Sequence, residues 1–231
     1  MVGRYRKSIP RDVERALRQE AGFGCSRCGH PYLEYHHIVP YEEEAHFRVE
    51  DMIALCANCH NFVHSQGRDR QYRIKQAPKN VSDGEFRGLL QYDKRDLVFR
   101  VGGNWYENVP TILQYRDVPL IGCRLEEDQA LVSVNLLNSA ERLVLKVVDN
   151  EVVFRLGDFW DFECRRNIAT VRSGPRNIAL KLDFSKPDAI IEGKLWAGST
   201  LLNLGSEHSN IGTIFFENNT FSNSAVGIQL G

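Results

Sequence analysis

The sequence of 231 residues has neither a long apolar run nor an excess of charge of either sign. No stretch approaches the ~20 consecutive apolar residues of a transmembrane helix, so we expect no membrane association. Lys and Arg number 29 and Asp and Glu 30, a net charge of −1, which excludes a polybasic nucleic-acid coat protein. No apolar run follows the basic residues Arg4, Arg6 and Lys7. We therefore expect no secretory signal and a cytoplasmic protein.

Cysteine and histidine are concentrated in one part of the chain. Six of the seven histidines and four of the six cysteines lie between residues 25 and 64. Residues 1–80 contain 13 Lys and Arg against 10 Asp and Glu, and the remainder contains 16 against 20. These differences predict two domains, at residues 1–66 and 85–231, connected by a basic linker at 67–84. The polar composition of the linker predicts a solvated tether, and a basic strap across a nucleic-acid backbone is the alternative.

The first predicted element is a short helix that begins after the N-cap candidate Ser8 and ends at Gly22. One face is apolar at helical spacing and is formed by Val13, Ala16, Leu17 and Ala21. The other face carries Arg11, Arg15 and Arg18, which we expect to be exposed and able to contact phosphates.

Four cysteines form two Cys-x-x-Cys pairs, Cys25 with Cys28 and Cys56 with Cys59, separated by 27 residues. Each pair can direct two thiolates at one ion, and four thiolates complete a tetrahedral zinc shell. Two disulfides are the alternative, but disulfides are typical of secreted proteins. The spacing therefore predicts a structural zinc. Cys123 and Cys164 lie in strand-like surroundings and are expected to be buried thiols.

The residues between the two pairs contain a second candidate metal site. His36 and His37 end a predicted strand before Pro40, and His60 and His64 are four residues apart on a predicted helix that begins at Ala57. Histidines at i and i+4 share one helix face. Together with a histidine on a strand, they can hold one divalent ion that keeps open positions, as a catalytic metal does.

This run of motifs resembles the HNH endonuclease family, over about residues 20–66. The resemblance implies a ββα-metal fold stapled by zinc. It implies that His37 is the general base and that His36, His60 and His64 bind the catalytic ion, which is Mg²⁺, Mn²⁺, Ni²⁺ or Zn²⁺ in this hypothesis. The sequence departs from the family pattern at Asp51, where an Asn is expected to help to orient the general base. We expect Asp51 to accept the histidine N–H instead.

Residues 85–231 predict an all-β domain. Short β-branched or alternating runs, such as Thr111–Tyr115 and Glu151–Arg155, recur between turn residues, and Asp149–Asn150 predicts a tight hairpin. The domain is expected to be an antiparallel sandwich or a related stack, and the tail 211–230 also reads as one rung of a β-solenoid. The predicted class of the whole chain is α+β.

The sequence leaves three functions open. The first is a metal-dependent endonuclease that cuts DNA, in which the β domain serves target recognition, assembly or control, as in restriction or phage defence. The second is a non-catalytic, zinc-stapled DNA-binding module. The third is an effector nuclease gated by a ligand or partner on the β domain. RNA as substrate stays open, and a homodimer suits double-strand cutting without being required by any residue.

The linker residues Arg68, Arg70, Arg73 and Lys75 are candidates for contacts with the nucleic-acid backbone.

Overall fold

The computed structural model describes residues 8–231, with the helices near the N-terminus and the large sheets after them. Arg4, Arg6 and Lys7 lie outside the described residues. The helices are α1 (Arg11–Glu20), α2 (Ala57–His64), α3 (Arg68–Gln76) and α4 (Lys79–Asp83), and a 3-10 turn covers Val49–Asp51. The strands are β1 (Glu34–His37), β2 (Met52–Leu55), β3 (Glu85–Leu89), β4 (Val98–Val101), β5 (Asn104–Glu107), β6 (Thr111–Tyr115), β7 (Val118–Glu126), β8 (Gln129–Leu137), β9 (Leu143–Val148), β10 (Glu151–Arg155), β11 (Asp161–Arg165), β12 (Ile168–Gly174), β13 (Asn177–Asp183), β14 (Ala189–Ala197), β15 (Thr200–Leu204), β16 (His208–Ile211), β17 (Ile214–Glu217), β18 (Thr220–Ser222) and β19 (Val226–Leu230).

Helix α1 packs its apolar face inward, as its spacing predicts. Leu17 and Ala21 are buried. The N-cap is Pro10, not Ser8, because the fixed φ of proline suits the entry into a helix. Arg18, which we expected to be exposed, is buried, because Asp161 of β11 supplies a carboxylate partner on that side of the helix.

A small antiparallel pair and a helix form the metal-binding unit. β1 pairs with β2 so that His36 lies opposite Ile53 and His37 opposite Met52. All four residues of β2 are buried, and α2 begins at Ala57, directly after Cys56. The chain therefore has the ββα order, and the predicted strand and helix are confirmed.

The segment 67–84, predicted to be a solvated linker, is instead helical and partly buried. It forms α3 and α4, and Gln71, Lys75 and Asn80 are buried. Asn80 donates a hydrogen bond to the Gly22 carbonyl at 2.9 Å. The tether interpretation was wrong because polar side chains here satisfy buried polar groups of the N-terminal region, which composition does not reveal.

Residues from 85 onward form two large sheets, as the α+β prediction requires. One sheet has the order β19-β6-β7-β8-β9-β10-β3. The other contains the antiparallel series β11 to β17. In this second sheet β4 pairs with β14, β5 pairs with β4, and β18 pairs with β5. Asp149 and Asn150 connect β9 to β10 with positive φ values of 48° and 72°. Two positive φ values are typical of the tight hairpin that was predicted there.

The C-terminal tail is divided between the two sheets. β18 pairs with β5 and β19 pairs with β6, and both pairings are parallel. Each of the two strands lies far in sequence from its partner. Buried side chains of both sheets form one core, including Val132 and Val134 of β8 and Leu182 and Leu195 of the other sheet. This shared core is the sandwich-like arrangement. Within residues 8–231, every helix is too short or too polar to cross a membrane.

Candidate metal centres and active site

The four cysteines of the two pairs converge on one point. Their sulfur atoms all lie within 4.8 Å of one another. The Cys28 sulfur is 3.7 Å from that of Cys56 and 3.6 Å from that of Cys59. Sulfurs that share a tetrahedral zinc at about 2.3 Å lie roughly 3.8 Å apart. The donor set and its spacing therefore fit zinc, as predicted.

Arg27 is an additional partner of this cluster. Its guanidinium donates to the Cys59 sulfur at 3.6 Å and lies 4.0 Å from the centre of the Phe62 ring. Burial alone raises the pKa of the Cys59 thiol, but the hydrogen bonds from Arg27 and the neighbouring cysteines bring that pKa below its ordinary value. The positive charge therefore favours the thiolate, which is the form that binds metal.

Three histidines form a second cluster, between β1 and α2. A ligand nitrogen of each of His36, His60 and His64 lies within 4.8 Å of the other two. The ring centres are 4.8 to 4.9 Å apart. Burial lowers the pKa of His36 to about 4, so this ring is neutral near pH 7 and can offer a lone pair to a metal. The structure thus brings together all three residues that the resemblance assigned to the catalytic ion.

His37 points away from these ligands toward the loop after β1. Its Nε2 lies 3.1 Å from the His46 carbonyl oxygen. A carbonyl only accepts hydrogen bonds, so Nε2 carries the proton and Nδ1 is the basic nitrogen of the neutral ring. His46 is itself buried, and its Nε2 donates to the Val39 carbonyl. His46 therefore shapes the loop that positions His37.

Asp51 does not make the contact that we expected. Its carboxylate accepts from the Arg48 guanidinium at 2.6 Å and from the Tyr72 hydroxyl at 2.7 Å. These two hydrogen bonds, that from Tyr72 first, hold the pKa of Asp51 below its usual value. Among residues 8–231, neither oxygen accepts from His37. The backbone carbonyl of Asp51 instead accepts from the Ile38 N–H at 2.8 Å, which fixes the end of β1 just after His37.

A cavity of about 640 Å³ opens over the histidines. His36, His37, His60 and His64 all line it, together with Arg68 and Gln71. Arg68, Arg70 and Arg73 are exposed on α3, and Arg68 pairs with Glu43. Lys75 is buried and bonds to Glu20. Lys75 is therefore not part of the exposed basic face, since it packs α3 against α1.

The match to a known family covers this same region. Residues 25–66 match the HNH endonuclease family. We call this region the HNH module, after the family that it matches. The chain is also similar to the type IV methyl-directed restriction enzyme EcoKMcrA of Escherichia coli (strain K12), with 32% identity in an alignment 75 residues long that covers 27% of this chain and 27% of that protein. The chain therefore spans about a quarter of the length of this curated relative. No solved structure matches the chain significantly.

Sequence reasoning missed several residues that surround the HNH module's two clusters. Glu34 and Gln71 contact the metal-ligand candidates His60 and His36, and Arg48 and Tyr72 hold Asp51. A signal existed for Glu34, because it lies two residues before His36 and so on the same face of the strand. Nothing in the polar segment around Gln71 marks it in the sequence.

Proposed function

We propose that this protein is a metal-dependent endonuclease that hydrolyses phosphodiester bonds in DNA. The observation that carries the proposal is the convergence of His36, His60 and His64 beside His37, in one open cavity. A DNA-binding zinc module needs the four thiolates but has no use for a second cluster of ligands that faces solvent. The family match of residues 25–66 and the similarity to a restriction enzyme support the same activity.

The residues of the HNH module have distinct roles in this proposal. His36, His60 and His64 would hold one divalent cation, which would supply positive charge to stabilise the scissile phosphate and the leaving oxygen. Nδ1 of His37 accepts the proton of the attacking water, because Nε2 is engaged with the His46 carbonyl. The Asp51 carbonyl fixes the residue that follows His37, and the His46 carbonyl holds the His37 ring.

The role of the sheet domain is a further part of the proposal. Residues 85–231 would serve target choice, assembly or control, and the methyl-directed activity of the relative makes modified DNA the first substrate to test. The gated effector remains the alternative, because Arg18 of α1 donates both to Asp161 of the sheets and to Tyr35 on the strand that carries His36. The DNA preference and a homodimeric state remain predictions.

A plasmid-cutting assay tests the proposal. Supercoiled plasmid, with and without methylated cytosine, would be incubated with zinc-loaded protein and Mg²⁺, Mn²⁺ or Ni²⁺. We expect nicked and linear products with wild-type protein and none with His37→Ala, at equal zinc content. His208→Ala, in the sheet domain, is the matched control and should cut normally. Equal cutting by His37→Ala, or no cutting by folded wild-type protein under every condition, would contradict the proposal.

A further inference from the structure

Gln71 fixes the proton position on His36. Gln71 is buried, and its amide nitrogen donates to the Gln66 carbonyl at 2.8 Å and to the Val63 carbonyl at 3.4 Å. This orientation directs its oxygen Oε1 at Nε2 of His36, at 3.0 Å. An amide oxygen only accepts, so Nε2 of His36 carries the proton and Nδ1 keeps the lone pair.

Glu34 does the same for His60 from the other side of the cluster. Its carboxylate oxygen lies 2.6 Å from Nδ1 of His60. An ionised carboxylate only accepts, so Nδ1 carries the proton. Nε2 of His60 then faces Nδ1 of His36, and these two nitrogens are 3.0 Å apart.

When both rings are neutral, Nε2 of His60 and Nδ1 of His36 therefore each carry a lone pair and no proton. Two lone pairs at this distance repel each other unless a cation lies between them. Nitrogens that share a tetrahedral ion at about 2.1 Å lie roughly 3.4 Å apart, so a small adjustment of either ring accommodates one. In each ring, the proton lies on the nitrogen that faces Gln71 or Glu34. The other nitrogen is therefore unprotonated and directed at the position of the ion.

We propose that Gln71 and Glu34 are positioning residues that select the metal-binding tautomers of His36 and His60. The inference rests on the proposed function, since it assumes that the three-histidine cluster binds a divalent cation. It makes α3 part of the metal centre, because Gln71 approaches His36 from this helix. It also assigns to β1 both a ligand, His36, and the carboxylate that orients a second ligand on α2.

Two measurements on the zinc-loaded protein of residues 1–231 test the proposal. Nitrogen-15 spectra of the imidazoles, recorded before a second metal is added, report the tautomers directly. Titration with Co²⁺ reports the affinity of the histidine cluster, and thiolate charge-transfer absorption would reveal any exchange at the cysteines. The variants are Gln71→Leu and Glu34→Ala, with Gln76→Leu and Glu50→Ala as matched controls at exposed positions.

We expect wild-type protein to show His36 protonated at Nε2 and His60 at Nδ1. Each variant should lose the fixed tautomer of its own histidine and bind Co²⁺ about 10–100-fold more weakly, whereas the two controls stay unchanged. Glu34→Gln, which keeps an acceptor oxygen, should restore most of the affinity. Because the Glu34 side chain is 52% exposed, its variants test the proposal even if Gln71→Leu fails to fold.

The two proposals fail in different ways. Unchanged tautomers and Co²⁺ affinity in both Gln71→Leu and Glu34→Ala would overturn the positioning roles alone. Wild-type protein that shows the assigned tautomers and binds no Co²⁺ at the histidines would overturn the proposed metal centre, and with it the use of these tautomers for a metal.

Discussion

Arg18 of α1 donates two hydrogen bonds to the carboxylate of Asp161 at the start of β11, at 3.0 and 2.8 Å. Both side chains are buried, and the same guanidinium donates to the Tyr35 hydroxyl at 2.9 Å. Burial lowers the pKa of Arg18, but the bonds to Asp161 and Tyr35 outweigh it and the net shift of the pKa is upward. Tyr35 precedes His36 on β1, so this contact connects the sheet domain to the strand that carries the site.

Removal of the Asp161 carboxylate should therefore be costly. Asp161→Ala removes both short hydrogen bonds and leaves the buried Arg18 with Glu163, 3.6 Å away, as its remaining carboxylate partner. We expect a loss of up to about 3–5 kcal/mol in the free energy of unfolding. Urea denaturation followed by circular dichroism measures it. Asp158→Ala, at an exposed position three residues earlier, should have little effect. The double variant Arg18→Met with Asp161→Leu should recover most of the loss, and a single-variant loss below about 1 kcal/mol would contradict the assignment.

A variant of Asn80 tests whether the segment 67–84 is packed against the N-terminal region, as the structure has it, or is a solvated linker, as its composition predicts. Asn80→Ala removes the donor to the buried Gly22 carbonyl, and we expect the free energy of unfolding to fall by about 1–3 kcal/mol. Asn61→Ala, on the exposed side of α2, is the control. If residues 67–84 were a solvated tether, both variants would unfold at the same urea concentration.

Loss of a single thiolate should weaken zinc binding at the four-cysteine site. Cys56→Ser leaves three sulfurs in the cluster, so the bound zinc measured by atomic absorption should fall, and the HNH module should melt at a lower temperature because metal binding contributes to its folding. Cys123→Ser changes a buried thiol of the sheet domain and should leave the zinc content intact. A chelator should affect the wild-type protein in the same direction as Cys56→Ser. Full zinc content in Cys56→Ser would refute the four-thiolate site.

Asp51→Asn should be tolerated. The amide keeps one acceptor oxygen but presents an N–H₂ group to either Arg48 or Tyr72, which are both donors. We expect a melting temperature lower by a few degrees and retained cutting, because the Asp51 backbone carbonyl still accepts the hydrogen bond from the Ile38 N–H. Differential scanning calorimetry and the plasmid assay measure the two effects. Complete loss of cutting in a folded Asp51→Asn protein would show that the carboxylate acts in the reaction itself.

Much of the local structure was determined by the sequence. The Cys-x-x-Cys pairs, the histidines at i and i+4, and the hairpin at Asp149–Asn150 depend on short-range geometry, which spacing encodes directly. The strands β6 and β10 follow their β-branched runs residue for residue. Family resemblance added the expected roles of His36, His37, His60 and His64, which the structure brings into one cavity.

Only the tertiary structure decided which polar residues surround the site. Arg18 is buried because Asp161, 143 positions away, reaches it, and Gln71 orients His36 from a helix whose polar sequence is typical of a solvated linker. The parallel pairing of β18 with β5 and of β19 with β6 likewise joins segments more than 100 residues apart. Burial of a polar side chain depends on a partner that folding supplies from elsewhere in the chain, and no local pattern in the sequence specifies that partner.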